Sequence, residues 1–205
     1  ISDGAKSDVG NILDLFDADN TVLIPDPVYP VYMDTNVMAG RKIVFMDANV
    51  ENGFLPMPPK GQKADIIYLC SPNNPTGAIM EREDLEKIAE IILEKDLFVI
   101  SDEIYSELTY AKEDHVSIAS LPGMKERTIT LNGFSKAYSM TGWRLGYAAC
   151  NEDIVKTVNK LHQHVVTCAT SFVQKAGVVA LREEKEEVND MVKEYQRRRD
   201  YAVKA

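Results

Sequence analysis

Short apolar runs alternate with amphipathic stretches along this chain. The runs at 21–24 (TVLI), 42–46 (KIVFM), 65–70 (DIIYLC), 97–101 (LFVIS), 128–131 (TITL) and 145–149 (LGYAA) predict six strands. Several are near-continuous in Val and Ile, as in strands covered on both faces of a mainly parallel sheet. Between them, residues 84–95 put Leu85, Ile88, Ala89 and Ile92 on one helical face. A helix at 31–39 stops before Gly40. Another at 153–166 carries Ile154, Val155, Val158, Leu161 and Val165. This alternation predicts an α/β fold, a three-layer sandwich with helices on both faces of the sheet.

The last third changes character. From 169 to 204 the pattern is helical throughout, and 181–199 (LREEKEEVNDMVKEYQRRR) is heavily charged around a stripe of Val188, Met191, Val192 and Tyr195. The chain therefore divides into a large domain, 1–182, and a charged helical arm, 183–205. The Pro/Gly-rich stretch 49–63 reads as a long surface loop.

With 205 residues, 45% hydrophobic and 27% charged, the chain can bury one large core. A net charge of −9 argues against nucleic acid and anionic membrane as partners. No apolar run approaches the ~20 residues of a membrane span. Cys70, Cys150 and Cys168 are odd in number, widely spaced and set in apolar stretches. They read as buried thiols of a cytoplasmic protein, not as a disulfide or zinc framework. His162 and His164 diverge on a helix and His115 lies in a charged loop, so no metal site is expected. The chain opens at Ile1 without an initiator Met and reads as a piece of a longer polypeptide.

In an open α/β sheet, ligands bind at the carboxyl ends of the strands. Polar, rigid loops recur there: Pro25–Asp26–Pro27–Val28–Tyr29, Ser71–Pro72–Asn73–Asn74–Pro75–Thr76–Gly77, Asp102–Glu103–Ile104–Tyr105, and Asn132–Gly133–Phe134–Ser135–Lys136 with Arg144 eight residues on. At the start, Asp3–Gly4–Ala5–Lys6 turns into a helix. Each loop alone has an ordinary reading, as a turn, a cap, a packed tyrosine or a solvated lysine.

Together they carry a resemblance. Residues 132–147, NGFSKAYSMTGWRLGY, resemble the cofactor-lysine motif of class I/II, fold type I, pyridoxal-phosphate (PLP)-dependent aminotransferases. SPNNPTG (71–77) and SDEIYSEL (101–108) stand in the expected order upstream. The resemblance implies a fold type I large domain, pyridoxal 5'-phosphate as cofactor and a homodimeric, cytoplasmic enzyme of amino-acid metabolism. It implies that Lys136 bonds the cofactor's aldehyde and later moves the substrate's Cα proton. Burial near other cations would favour the deprotonated amine this needs. Asp102 would hold the ring nitrogen protonated, and its strand neighbour Glu103 would point away. Tyr105 and Asn74 would bond the phenolic oxygen, and Tyr29 would stack on the ring. The phosphate would lie on Gly4, the Ala5 and Lys6 N–H groups, Ser135 and Arg144. Many relatives carry Ser where this chain has Gly133, so one phosphate donor is missing.

SDGAKSD, DPVYPVYMDTNVMAGR and ENGFLPMPP are similar to LL-diaminopimelate aminotransferase, whereas DEIYSELTY and MTGWRLGY resemble aspartate- or aromatic-type enzymes. The substrates implied are an amino acid and a 2-oxo acid, with LL-diaminopimelate one candidate. Two other readings fit the same loops: a PLP-dependent C–S lyase of this fold, and a non-catalytic PLP-sensing domain of a transcriptional regulator.

Overall fold

A computed structural model describes residues 1–110 and 115–205. The chain runs α1 (Ala5–Asn11), β1 (Thr21–Asp26), α2 (Pro30–Met38), β2 (Lys42–Asp47), β3 (Ile66–Cys70), α3 (Arg82–Lys95), β4 (Phe98–Asp102), β5 (Thr128–Gly133), β6 (Gly146–Ala149), α4 (Glu152–Val165), α5 (Ser171–Glu183) and α6 (Lys185–Lys204). The strands form one sheet in the order β2-β1-β3-β4-β5-β6. The first five are parallel and β6 returns antiparallel to β5. All six strands lie where the apolar runs predict them. β1 runs on through Pro25, whose missing N–H costs little because the β3 ladder ends at Leu23.

The alternation of side chains along each strand builds two cores. Leu23, Ile67, Leu69 and Val99 face one way and meet Leu85, Ile88 and Ile92 of α3. Val22, Ile24, Ile66, Tyr68 and Ile100 face the other way and meet α1, Tyr32 of α2, and Ile154 and Val158 of α4. Parallel crossovers are right-handed. The step from β1 to β2 and that from β3 to β4 run in opposite directions across the sheet, so α2 and α3 land on opposite faces. The strand order reverses between β1 and β3, where a crevice is expected at the carboxyl ends.

A third cluster lies beyond β5. Phe134, Met140 and Leu145 pack on Ala169, and on Val173 and Ala180 of α5. Gly177 allows the approach, since a Cβ there would stand 2.6 Å from a Leu145 methyl group. α5 thus clamps the loop that carries Lys136.

The helical pattern after 169 forms two helices that meet at Glu184. Two expectations need correction. On α4 only Ile154 and Val158 reach the core, while Val155 and Val165 are exposed; the helix touches the body along a narrower seam than its stripe. The cysteines are not uniformly buried: Cys70 is, Cys150 is half-buried and Cys168 is exposed, because it stands in the bend between α4 and α5. Among the described residues no helix is long and apolar enough to cross a membrane.

Candidate active site

The carboxyl ends of β1, β3, β4 and β5 surround a cavity of about 220 Å³. Its wall includes Ala5, Lys6, Tyr29, Asn74, Asp102, Tyr105, Ser135, Lys136 and Arg144. Residues up to 139 positions apart in sequence therefore share one wall; Gly4 is not among the lining residues and lies against the Arg144 guanidinium.

One end is cationic. Ser2 pairs with Gly146 by two backbone hydrogen bonds of 2.8 and 3.0 Å, which pins the chain start to β6. A Cβ at Gly146 would stand 2.6 Å from the Ala5 nitrogen, so this contact requires glycine. α1 follows; the Ser7 and Asp8 N–H groups donate to the Gly4 carbonyl, while those of Ala5 and Lys6 have no partner within the helix. Beside it lies Arg144, at φ +56° after the turn Thr141–Trp143. Its Nη1 donates to the Thr141 carbonyl at 3.0 Å, and the Thr141 hydroxyl donates to the Ser135 carbonyl at 2.8 Å. These bonds tie the arginine to the lysine loop.

The other end is a buried carboxylate. Asp102 ends β4; the Ile104 N–H donates to its Oδ1 at 3.1 Å and the Tyr32 hydroxyl to its Oδ2 at 2.5 Å. Burial pushes the Asp102 carboxyl up from its ordinary value, and both hydrogen bonds oppose that shift. Glu103 turns to the opposite face, where Ser101, Ser117 and His115 bond it at 2.8–3.0 Å. Strand alternation sends the two neighbouring acids to different sides.

Between the ends stand Lys136, Tyr105 and Asn74. The Lys136 ammonium lies 5.7 Å from the Tyr105 ring centre, and the Asn74 amide donates to the Tyr105 hydroxyl at 3.5 Å. Asn74 sits on a tight loop: Gly77, at φ +73°, donates to the Asn73 carbonyl, and the Asn73 amide bonds Thr76 and the Pro27 carbonyl. Tyr29 begins α2 and meets Tyr32 edge to face at 5.8 Å.

Lys136 departs from expectation. It is exposed rather than buried, because no described residue covers that side of the cavity. Gly133 explains its own departure from the family pattern: a Cβ there would stand 2.9 Å from the Leu145 carbonyl, where β5 and β6 close on each other. Tyr32, Cys70 and Thr141 also line the cavity and were not anticipated. For Tyr32 a signal was present, since it lies one helical turn beyond Tyr29.

The site's donors match a phosphorylated pyridine aldehyde in kind: cationic groups at one end, an amine between, a buried carboxylate at the other. The chain is 41% identical over 198 residues to an aspartate aminotransferase of Musicola paradisiaca, covering 94% of this chain and 49% of that protein. It is 41% identical over 190 residues to aromatic-amino-acid aminotransferase 2 of Thermococcus litoralis, covering 89% and 49%. The structure of an aromatic aminotransferase from Pyrococcus horikoshii superposes with a TM-score of 0.92 at 40% identity, covering 99% of this chain and 57% of that one. The chain thus spans about half the length of the curated relatives it matches. The family model for aminotransferase class I and II matches residues 1–205, and the chain belongs to that family.

Proposed function

We propose that this chain is the cofactor-holding part of a PLP-dependent aminotransferase that moves an amino group between an amino acid and a 2-oxo acid. The observation that carries the reading is one cavity with Arg144, Lys6 and Ser135 toward one end, Lys136 between, and buried Asp102 at the other. Arg144, Ser135 and the first N–H groups of α1, Ala5 and Lys6 behind Gly4, would hold the phosphate. Lys136 would bond the aldehyde. Tyr105 and Asn74 would hold the phenolic oxygen, and Tyr29 would cover the ring.

Bound there, the cofactor supplies an electron sink for the bond broken at the substrate's Cα. Asp102 would accept a hydrogen bond from the ring nitrogen and keep a proton on it. The Lys136 amine, once freed, would take the proton from the substrate's Cα. Tyr105 would orient the ring through its hydroxyl.

The relatives are named as aminotransferases, which favours amino transfer over the C–S lyase and sensing readings. Aspartate, aromatic amino acids and LL-diaminopimelate are the donors to try first. A homodimer in the cytoplasm belongs to the same proposal, as does α6 serving as an arm toward a second domain; the exposed Phe172, Val179 and Leu181 of α5 support contact with further protein.

The test is direct. PLP is added to the purified chain, the absorption change is recorded, and the adduct is reduced with borohydride and mapped. Modification at Lys136, lost in Lys136→Ala, is expected. A reduced adduct on another lysine, or none, rejects the proposal.

A further inference from the structure

Asp102 is buried, and among the described residues no Lys or Arg forms an ion pair or hydrogen bond with it. What holds it is neutral. The Ile104 N–H occupies Oδ1 and the Tyr32 hydroxyl occupies Oδ2 at 2.5 Å. Tyr32 is fully buried and firmly held. Its ring stacks on Tyr68 at 4.9 Å and meets Tyr29 edge to face, and its carbonyl accepts the buried Asn36 amide at 2.8 Å. The ring is therefore fixed with its hydroxyl on Asp102, and the Cys70 thiol lies beside the same hydroxyl.

We infer that Tyr32 is a positioning residue that holds Asp102 as a carboxylate acceptor, so that a proton shared with a bound ring nitrogen stays on the nitrogen. The inference rests on the cofactor reading above for the ring nitrogen alone; the bond to Asp102 stands without it. The physical reason is competition for one proton. A buried carboxylate without a cation gains basicity, and a donor on the carboxylate lowers it. Burial and the neighbouring carboxylate hold the Tyr32 hydroxyl well above its ordinary value, so it remains a donor. The other titratable groups near Asp102 are Cys70 on β3 and Tyr105 and Glu103 beyond β4, with Lys6, Lys136 and Arg144 on the cavity wall.

Two variants separate this role from plain packing. Tyr32→Phe keeps the ring stack and removes the donor. Tyr68→Phe removes a hydroxyl from the same stack that does not bond Asp102. In the cofactor-free chain, labelled with ¹³C-aspartate, the Asp102 titration midpoint is expected to rise by about one pH unit in Tyr32→Phe and to stay put in Tyr68→Phe. In the chain loaded with PLP labelled with ¹⁵N at the ring, the nitrogen resonance is expected to move toward that of neutral pyridine in Tyr32→Phe only. An unchanged Asp102 midpoint in Tyr32→Phe, or equal shifts in both variants, overturns the inference, as does an unmoved ¹⁵N resonance. If the chain takes up no PLP, the proposed function fails, while the cofactor-free titration still decides the bond's role.

Discussion

Gly4 and the Arg144 guanidinium occupy the same small space: a Cβ built on Gly4 would stand 2.5 Å from Nη2 and 3.1 Å from Cζ. Gly4 also has φ +132°, where L side chains are strained. The absence of one methyl group lets the arginine lie flat beside the start of α1.

Gly4→Ala is therefore expected to push Arg144 aside and strain the backbone, costing about 1–3 kcal/mol. Urea unfolding should show the loss, and fluorescence titration should show PLP affinity falling by roughly ten-fold or more. Affinity and stability equal to wild type would mean that the guanidinium need not lie there.

Gly133→Ser would supply the hydroxyl that many relatives have at this position. Here it is expected to destabilise by about 1–3 kcal/mol, because the new Cβ meets the Leu145 carbonyl at 2.9 Å and the Gly146 Cα at 3.1 Å. A thermal melt decides the matter; a rise in melting temperature would show that β6 yields easily.

Asp8 is buried on α1, and the Ser2 hydroxyl donates to it. Burial pushes its carboxyl up from 3.8 to about 6, outweighing that bond. The folded state then holds the proton more tightly than the unfolded chain. Its contribution to stability is full below about pH 3.8 and is lost as pH rises through about 6. The loss is at most about 3 kcal/mol. Urea melts at pH 4 and pH 7 should show a wild-type decline from this group that Asp8→Asn lacks; parallel pH profiles would refute it.

The three thiols should separate by reactivity. Cys168 is exposed, whereas burial pushes the Cys70 thiol up to about 12 and also raises Cys150. Under a thiol-specific reagent at pH 8, Cys168 should react first, Cys150 more slowly, and Cys70 only with denaturant. Rapid native labelling at Cys70 would contradict its place beside Asp102.

The strands were legible because burial on both faces demands apolar side chains at successive positions, as in Ile66–Cys70. The α3 stripe was legible for the matching reason, one covered face. α4 misled, since an amphipathic face records what can be covered rather than what is. Asp102 and Glu103 could be told apart by strand alternation, but Tyr32 as the donor to Asp102 could not be seen, because the contact joins residues 70 apart in sequence. The exposure of Lys136 was hidden in the same way.

Local pattern along the chain is enough for the elements, their alternation, the α/β class and the loops that bear the chemistry, since periodicity and turn preference act over a few residues. The return of β6 antiparallel to β5, the clamp of α5 on the lysine loop, and the meeting of Gly4, Arg144, Lys136, Tyr32 and Asp102 around one cavity depend on packing between distant segments. Those contacts form only when strands far apart in sequence lie side by side, and no local preference encodes the distance between them.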